Sequence, residues 1–449
     1  MRNDGHNPLL PPDIHIPDGE AHVMPDGRLY VYGSFDAHTK YYCSNIYRVA
    51  STEDMRRWKV HDVCLRAEEI PWFDNPDAPR YPGVDWRHPT RFVMENMPEI
   101  AGMTDAEREK RMQAKGGPAL LYAPDCIEKN GKYYLYFCMA DESEGVAVSD
   151  RPEGPFENPV QLPCGGIDPA VFMDDDGSAY YYWGQFRSRG VKLNDDMVSF
   201  DPAQIRDRLV TEEEHFFHEG SSMRKIGDTY YYVFADVERG KPTSLGYATS
   251  RSPLGPFIYR GIIIDNAACD SASWNNHGSI ECFRGKWYVF YHRCSRGEKI
   301  YRRLCAEPIT ILPDGSIPEV RMTSQGPGEP YGSGEIIPAF QACELHGGLH
   351  IAPDDQGVEE IRHISEGDRA VFRYVKSASA FRRAEIESKG RARVTLLLDG
   401  AVAGEAEIGS DGVHPFLLDG KVWSGKEQEL ILSFSAVKDF ALRSIALFA

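Results

Sequence analysis

The stretch "DDDGSAYYYWG", residues 174–184, joins a glycine turn to a run made almost entirely of aromatic side chains. Asp-Gly favours tight hairpin turns because both residues tolerate a positive φ angle. The apolar segment "AVFM" precedes the turn, and aromatic residues favour strands. The stretch therefore predicts a β-hairpin with a tyrosine-rich second strand.

The same pattern recurs along the chain, each time as an apolar segment, a glycine turn and a short aromatic strand. The further copies are "DGRLYVYGSFD" at 26–36, "NGKYYLYFCMAD" at 130–141, "GDTYYYVFAD" at 227–236 and "RGKWYVFYHR" at 284–293. Pro-rich pieces with one aromatic residue follow several copies, which suits short outer strands. Five such units predict a five-bladed β-propeller, and a series of β-sandwich hairpins is the alternative.

Two regions fall outside this repeat. The first and second glycine turns are too far apart for one blade, which predicts an insertion at about 68–116 that shapes the mouth of a site. Within it, "MTDAEREKRMQAKGG" predicts a capped helix that ends at Gly116. After a propeller at 1–325, "GPGEPYGSGE" at 326–335 predicts a linker. Alternating segments in 336–449 predict a jelly-roll-like β-sandwich, so the fold class is all-β.

Composition and charge narrow the range of partners. The 449-residue chain carries a net charge of −18 and is 11% aromatic. Proteins that bind nucleic acids neutralise phosphates with Lys and Arg, so we expect no nucleic-acid partner. We expect no membrane partner either, because the charge disfavours an anionic surface and no run of about 18 apolar residues is present. A neutral sugar is compatible with this charge.

The cysteines and the first residues predict a compartment. The chain has ten cysteines and no Cys-x-x-Cys pair, and several lie in apolar runs such as "YLYFCMA". This pattern predicts buried free thiols in a reducing environment. The opening residues "MRNDGHNPLLPPDIHIPDGE" lack the apolar core of a signal peptide. We therefore expect a cytoplasmic protein.

Three carboxylates do not fit the turns. Asp18 in "IPDGEAHV", Asp168 in "GGIDPAVF" and Glu219 in "FHEGSSMRK" each precede the apolar strand of a hairpin, which would line the central funnel. Converging carboxylates repel one another, which raises the pKa of one member and leaves another ionised. Glycoside hydrolysis needs such an acid and base, although a turn or cap role is the alternative for each. Asp36 and the aspartates beside hairpin glycines are expected to be structural.

These segments resemble glycoside hydrolase family 43, the five-bladed β-propeller enzymes that act on arabinose- and xylose-containing polysaccharides. The resemblance covers roughly residues 5–320. It is carried by "NPLLP…IPDGEAHV", "LYAPDCIEKNGKYYLYF", "IDPAVFMDDDGSAYYYWG", "HEGSSMRKIGDTYYYVFA" and "HGSIECFRGKWYVFYH". Two departures concern the substrate subtype: Gly19 stands where the family often has proline, and Tyr122 stands where it has tryptophan.

The resemblance implies a role for each carboxylate. Asp18 would be the general base that activates water, and Glu219 would be the general acid. Asp168 would be the third carboxylate, which orients the acid and tunes its pKa. The family inverts the anomeric configuration in one displacement, so the acid and base should stand roughly 6.5–9.5 Å apart. No cofactor is implied for catalysis.

Other residues take roles around this centre. His277 would lie in the propeller channel near a structural cation, often calcium, or near water, and an ordinary buried histidine is the alternative. Arg302 matches an arginine that contacts the sugar, and strand alternation lets only one of Arg302 and Arg303 face the funnel. Phe35 would form an apolar wall for the sugar or pack in the core. Trp86 in the insertion would stack on sugar or pack.

Residues 336–449 resemble a family 6 carbohydrate-binding module through "ACELHGG" and "EEIRHISEGDRAVFRYV". The resemblance implies either sugar binding, with Trp423 as a candidate contact, or bracing of the propeller. Glu344 matches a structural cation ligand of such modules.

We therefore expect an inverting, exo-acting glycoside hydrolase that releases terminal pentose from plant-derived oligosaccharides. An α-L-arabinofuranosidase is favoured, and a β-xylosidase or another exo-glycosidase, such as a galactosidase, is the alternative on the same site. The exo assignment follows from the expected cytoplasmic location, because imported oligosaccharides are short. A non-catalytic carbohydrate-binding propeller is the alternative of another class. A transferase or phosphorylase would need a basic phosphate site near Asp168, which the sequence lacks.

Overall fold

The computed structural model describes residues 4–37, 40–112 and 118–449, which are built almost entirely of β-strands. Five small antiparallel sheets form a five-bladed propeller, and each contains one of the predicted glycine hairpins, so that prediction is confirmed. Blade one contains β1 (Glu20–Val23), β2 (Leu29–Tyr32), β3 (Ile46–Thr52) and β4 (Trp58–Arg66). Blade two contains β5 (Asp125–Lys129), β6 (Lys132–Cys138), β7 (Ser143–Ser149) and β8 (Glu157–Gly165).

The remaining blades follow in chain order. Blade three contains β9 (Ala170–Met173), β10 (Ala179–Trp183), β11 (Arg187–Lys192) and β12 (Arg206–Thr211). Blade four contains β13 (Phe217–Ile226), β14 (Thr229–Asp236), β15 (Ser244–Ser250) and β16 (Ile258–Asp265). Blade five has three strands in the described part of the chain: β17 (Ser279–Phe283), β18 (Lys286–Ser295) and β19 (Glu298–Ile309).

The N-terminal segment covers the outer edge of blade five. Leu9 donates its N–H to the Leu304 carbonyl at 2.9 Å. The side chain of Asn7 pairs with the backbone of Ala306 in both directions, at 3.0 Å each. An uncovered strand edge would expose unpaired backbone groups. This segment therefore closes the ring without forming a regular strand.

The inner strands of the blades surround a central funnel. Neighbouring inner strands, which are β1, β5, β9, β13 and β17, contact one another around the ring. A bridge between Gly19 and Gly278 joins the first blade to the last. Residues that begin these strands are therefore brought to one mouth.

The insertion between β4 and β5 folds mainly into short helices. These are α1 (Arg91–Asn96), α2 (Pro98–Ala101) and α3 (Asp105–Met112). A capping box starts α3: Thr104 Oγ1 accepts the Glu107 N–H at 3.3 Å, and Glu107 Oε2 accepts the Thr104 N–H at 2.7 Å. The predicted helix is thus present, and its predicted end at Gly116 lies outside the described residues. A fourth short helix, α4 (Glu212–His215), precedes β13, and single 3₁₀ turns lie at Ala67–Glu69, Pro202–Gln204, Ala339–Gln341 and Gly420–Val422.

The C-terminal residues form one nine-stranded sheet that nearly closes around its own core. Two long strands, Arg383–Leu398 and Gln428–Phe448, pair along most of their length, and their inward side chains alternate with outward ones. The strands are β20 (Ile336–Pro338), β21 (Glu344–His346), β22 (His350–Pro353), β23 (Glu359–Arg362), β24 (Arg369–Val375), β25 (Arg383–Leu398), β26 (Ala401–Ile408), β27 (Gly412–Leu417) and β28 (Gln428–Phe448).

This sheet packs against blade five. The buried Glu359 carboxylate pairs with Arg303 at 2.9 Å and with Arg296 at 3.2 Å, both from the β18–β19 hairpin region. The segment at 326–335, predicted as a linker, is anchored by the buried Tyr331, whose N–H donates to the Tyr374 carbonyl at 2.9 Å. The two parts of the chain are therefore joined through buried polar contacts.

The ten cysteines, all in the described ranges, are free thiols. Nine are buried and Cys282 is half-buried, which confirms the predicted thiols. No helix in the described ranges is long and apolar enough to cross a bilayer.

Candidate active site

Two of the predicted carboxylates occupy the same position in different blades. Asp18 lies two residues before β1 and Asp168 two residues before β9, and their φ angles are 57° and 54°. Aspartate tolerates this left-handed backbone better than most residues. His277 lies two residues before β17, and its Nδ1 is 3.9 Å from Asp18 Oδ1 and 3.7 Å from Asp168 Oδ2. The three side chains therefore converge at the funnel mouth.

Glu219 lies inside β13 and not before it, which differs from the predicted position. A register irregularity between Glu219 and Ser222 interrupts the pairing with β14, and such bulges re-aim side chains. Gln185 Nε2 donates to Glu219 Oε2 at 2.7 Å. The Glu219 side chain is 15% exposed, against 5% for Asp18 and 9% for Asp168. Glu219 is thus the most accessible of the three to an incoming ligand.

Asp18 is held as a carboxylate. Ser34 Oγ donates to its Oδ2 at 2.6 Å, and Arg302 Nη1 donates to its Oδ1 at 2.7 Å. Burial alone would raise the pKa of Asp18. The Arg302 guanidinium and the contact with His292 together outweigh burial, so this pKa lies well below its usual range. An ionised oxygen at this position can accept a proton from water.

The pKa of Asp168 is shifted in the opposite direction to that of Asp18. Burial, and then the charges of Glu219 and Asp18, raise the pKa of Asp168 well above its usual range. Its backbone N–H donates to Cys138 Sγ at 3.3 Å. Asp168 therefore retains a proton at pH values where an ordinary aspartate has lost it. Glu219 provides the larger of the two charges that raise this pKa, so the proton on Asp168 is coupled to the charge of Glu219.

The two consecutive arginines of β19 face opposite ways, as strand alternation predicts. Arg302 faces the funnel, where its guanidinium binds both oxygens of Asp36 at 2.9 and 3.0 Å in addition to Asp18. Arg303 faces the C-terminal sheet and pairs with Glu359. Asp36, expected to be structural, is therefore the residue that orients Arg302.

A polar group lies deeper in the channel. Among the residues that the structure describes, Glu20, His22 and Asp125 form the one group of three donors that could hold a metal ion. His277 is not part of this group. Arg224 Nη2 lies 2.8 Å from Glu20 Oε1, so a fixed positive charge already stands beside these carboxylates.

The side chains around His277 do not form a calcium cage by themselves. Calcium takes about six to eight oxygen ligands, whereas His277 offers nitrogen. Of the two carboxylates beside His277, Asp18 already accepts hydrogen bonds from Ser34 and Arg302. Burial lowers the pKa of His277, so the imidazole is neutral at ordinary pH, and its Nδ1 lies between the two aspartates at 3.9 and 3.7 Å.

The two predicted aromatic contacts are packed. Phe35 is half-buried against the core between blades one and five, with the Arg48 guanidinium 5.6 Å from its ring centroid. Trp86 is 6% exposed and meets Phe186 edge-on at 5.5 Å, and the Arg111 guanidinium lies 4.9 Å from its ring centroid. Their contacts with sugar stay predictions.

Sequence reasoning missed four residues that hold the site. Ser34 and Asp36 alternate with Phe35, and that alternation was a usable signal, because one face of this segment must point away from the core. Gln185 and His292 carry no charge pattern that would single them out. Their positions depend on how separate blades meet.

Comparison with known proteins gives a consistent result. Residues 76–317 match the family described as glycosyl hydrolases family 43. A xylosidase/arabinosidase of Thermoclostridium stercorarium is 33% identical over 392 residues, which is 77% of this chain and 73% of that protein. A xylosidase/arabinosidase of Bacteroides ovatus is 29% identical, over 69% of this chain and 95% of that protein.

Solved structures that resemble this chain include members of the same family. A GH43 β-xylosidase/α-arabinofuranosidase from a compost microbial metagenome, in complex with xylotriose and in a calcium-free form, has a TM-score of 0.54. It is 27% identical and covers 71% of this chain and 98% of its own. An arabinoxylan arabinofuranohydrolase of Bacillus subtilis covers 99% of this chain and 98% of its own, with a TM-score of 0.53 and 22% identity. The latter likeness concerns the fold alone and includes the C-terminal sheet.

Proposed function

The chain belongs to glycosyl hydrolases family 43, and on this basis we propose that it is an inverting, exo-acting glycoside hydrolase that releases a terminal pentose from plant-derived oligosaccharides. The observation that carries the proposal is the convergence of three largely buried carboxyl groups at one funnel mouth. The pKa of Asp18 is lowered there and the pKa of Asp168 is raised. Such a set provides an acid and a base at the same pH.

Each group has a defined task in this reaction. Asp18, ionised and oriented by Ser34 and Arg302, accepts a proton from the water that attacks the anomeric carbon. Glu219, the most accessible of the three, gives its proton to the leaving oxygen. Asp168 keeps a proton in the Asp168–Glu219 pair and positions the acid. The reaction is a single displacement that consumes one water molecule.

The sugar is proposed from the relatives. Several relatives are named xylosidase/arabinosidase, and others are named β-xylosidase and arabinoxylan arabinofuranohydrolase. We favour α-L-arabinofuranoside hydrolysis and keep β-xyloside hydrolysis as the alternative at the same pocket. Exo action on short oligosaccharides accords with the expected cytoplasmic location, which stays a prediction.

Hydrolysis by paired carboxyl groups needs no cofactor. A structural calcium ion in the channel stays a prediction. The donor set that supports a channel cation best is Glu20, His22 and Asp125, with Arg224 as a competing positive charge.

For the C-terminal sheet we propose bracing rather than sugar binding. Trp423 is partly buried and packs edge-on against Phe381, a residue of the core of that sheet, at 5.0 Å. Glu344, the candidate cation ligand, is paired with Arg373 at 2.6 Å. The buried Glu359 contacts with blade five support the same conclusion.

Initial rates on 4-nitrophenyl α-L-arabinofuranoside and β-D-xylopyranoside test the function. The wild-type protein should turn over at least one of them, and the better substrate identifies the sugar. Glu219→Ala should slow an arabinose-substituted xylo-oligosaccharide by about 10²–10⁴-fold, and the nitrophenyl pentoside by less, because an activated leaving group needs little acid assistance.

Two outcomes would count against the proposal. No turnover of either pentoside or of the oligosaccharide, with the fold intact by circular dichroism, would favour the non-catalytic carbohydrate-binding propeller. Equal slowing of natural and nitrophenyl substrates by Glu219→Ala would remove Glu219 from the role of the acid.

A further inference from the structure

A cavity of about 230 Å³ lies between the insertion and blade two, outside the carboxylate site. One wall is formed by insertion residues between 72 and 81. The opposite wall is the segment at 139–143, which joins β6 to β7 and includes the first residue of β7, together with Gln161 of β8. The cavity is thus a product of the insertion and not of the repeating blade.

The apolar part of this cavity is built on Trp72. The indole stacks on Phe137 with an interplanar angle of 5° and a centroid distance of 5.9 Å, and its Nε1 donates to Ser143 Oγ at 3.0 Å. A Cβ at Gly145 would lie 2.6 Å from the indole, so glycine at this point of β7 makes room for it. Met139 adjoins the same wall. The wall is therefore fixed by packing on both sides.

The rim of the cavity is polar. Arg80 Nη2 lies 3.5 Å from Asp141 Oδ2, and the two side chains are 30% and 27% exposed. Gln161 Nε2 donates to the Pro79 carbonyl at 3.0 Å. A guanidinium beside a carboxylate offers both donors and acceptors to a ligand. An aromatic wall with such a rim suits a neutral ligand rich in hydroxyl groups.

The segment that lines the cavity is tied to the segment that carries Asp168. Cys138, the last residue of β6, accepts the Asp168 N–H through its Sγ, and the cavity loop follows directly. Asp141 is three residues further, a reach of at most about 11 Å. Glu142 in this loop accepts the Gly166 N–H at 2.9 Å, which ties the loop to the segment that carries Asp168.

We propose that this cavity binds a pentose unit of the oligosaccharide on the leaving-group side of the bond that is cleaved. The inference rests on the proposed function. Asp168 neighbours the proposed acid Glu219, which meets the leaving oxygen, and the segment that lines the cavity is hydrogen-bonded to the segment that carries Asp168. The insertion then selects oligosaccharides over shorter glycosides.

A kinetic comparison tests this inference. The substrates are xylotetraose, or its arabinose-substituted form, and the matching 4-nitrophenyl pentoside, which has no sugar on its leaving-group side. Arg80→Ala should lower the ratio of kcat/KM between the long and the short substrate about tenfold, mainly through KM, as expected for a lost charged hydrogen bond. Ala78→Phe, which adds bulk to the cavity wall, should do the same.

Arg91→Ala is the matched control, because Arg91 is an insertion arginine on α1 whose ion pair is with Glu95 on the same helix. It should leave the ratio unchanged. The inference is overturned if Arg80→Ala and Ala78→Phe both leave the ratio at its wild-type value, or if they slow both substrates equally.

A binding measurement separates this inference from the proposed function. Calorimetric titration of the Asp18→Asn protein with xylotetraose should show about tenfold weaker binding when Arg80→Ala is added, with binding of the monosaccharide xylose unaffected. Equal tetrasaccharide affinity with and without Arg80→Ala would contradict the cavity site. Failure of the wild-type protein to hydrolyse any pentoside would contradict the proposed function. The titration would then still show whether the cavity binds a pentose unit.

Discussion

Replacement of Asp18 by asparagine is expected to lower kcat/KM by about 10³-fold on natural and nitrophenyl pentosides alike. Asparagine keeps the shape of the side chain, but its amide cannot accept a proton from the attacking water. Arg302 keeps its bidentate contact with Asp36, so the site should stay assembled. An activated leaving group cannot compensate for lost water activation, in contrast to the Glu219 variant.

Rates of Asp18→Asn on both substrate types measure this effect, with the melting temperature as a check on folding. Asp176→Asn is a matched control, because Asp176 is an exposed turn aspartate whose Oδ1 accepts the Ser178 N–H, as an asparagine oxygen also can. The control should retain wild-type rates. A loss for Asp18→Asn that is confined to poor leaving groups would assign Asp18 to the acid role instead.

Asp168→Asn is expected to move the alkaline limb of the kcat/KM profile about one pH unit lower and to reduce the rate at the optimum. In the wild type, burial and the charges of Glu219 and Asp18 raise the pKa of Asp168, so the Asp168–Glu219 pair holds a proton into higher pH. Removing one of the two charges removes the repulsion that favours this proton. The acid should then be deprotonated, and inactive, at a lower pH.

The pH profile of kcat/KM for Asp168→Asn, measured on an unactivated oligosaccharide, checks this prediction. The acid limb should stay in place, because the Arg302 guanidinium that keeps the pKa of Asp18 low is retained. An unchanged alkaline limb with a reduced rate would mean that Asp168 acts by orientation or by substrate contact, and not through the proton of the pair.

The repeating part of the fold was predictable because its signals are local. Each blade begins with a hairpin whose turn is marked by glycine and whose second strand is marked by aromatic residues, as at Gly177. Asp18 and Asp168 stood out because each precedes an inner strand and forms no part of a turn. Alternation along one strand also separated Arg302 from Arg303 correctly.

The parts that escaped prediction depend on distant contacts. The closure of blade five joins Asn7 to Ala306, and no local pattern marks either partner. The placement of Glu219 inside β13 depends on a bulge in its pairing with β14. Gln185 reaches Glu219 from another blade. Such pairings are set by tertiary packing, which a reading of separate segments does not supply.

The stereochemistry of the first product tests the central claim most directly. Proton NMR of wild-type hydrolysis, followed from the first turnovers on whichever pentoside is cleaved, reports the anomeric configuration of the released sugar before it mutarotates. A single displacement by water activated at Asp18, with Glu219 as acid, predicts that the inverted anomer appears first. First appearance of the retained anomer would require a covalent intermediate and would contradict these roles.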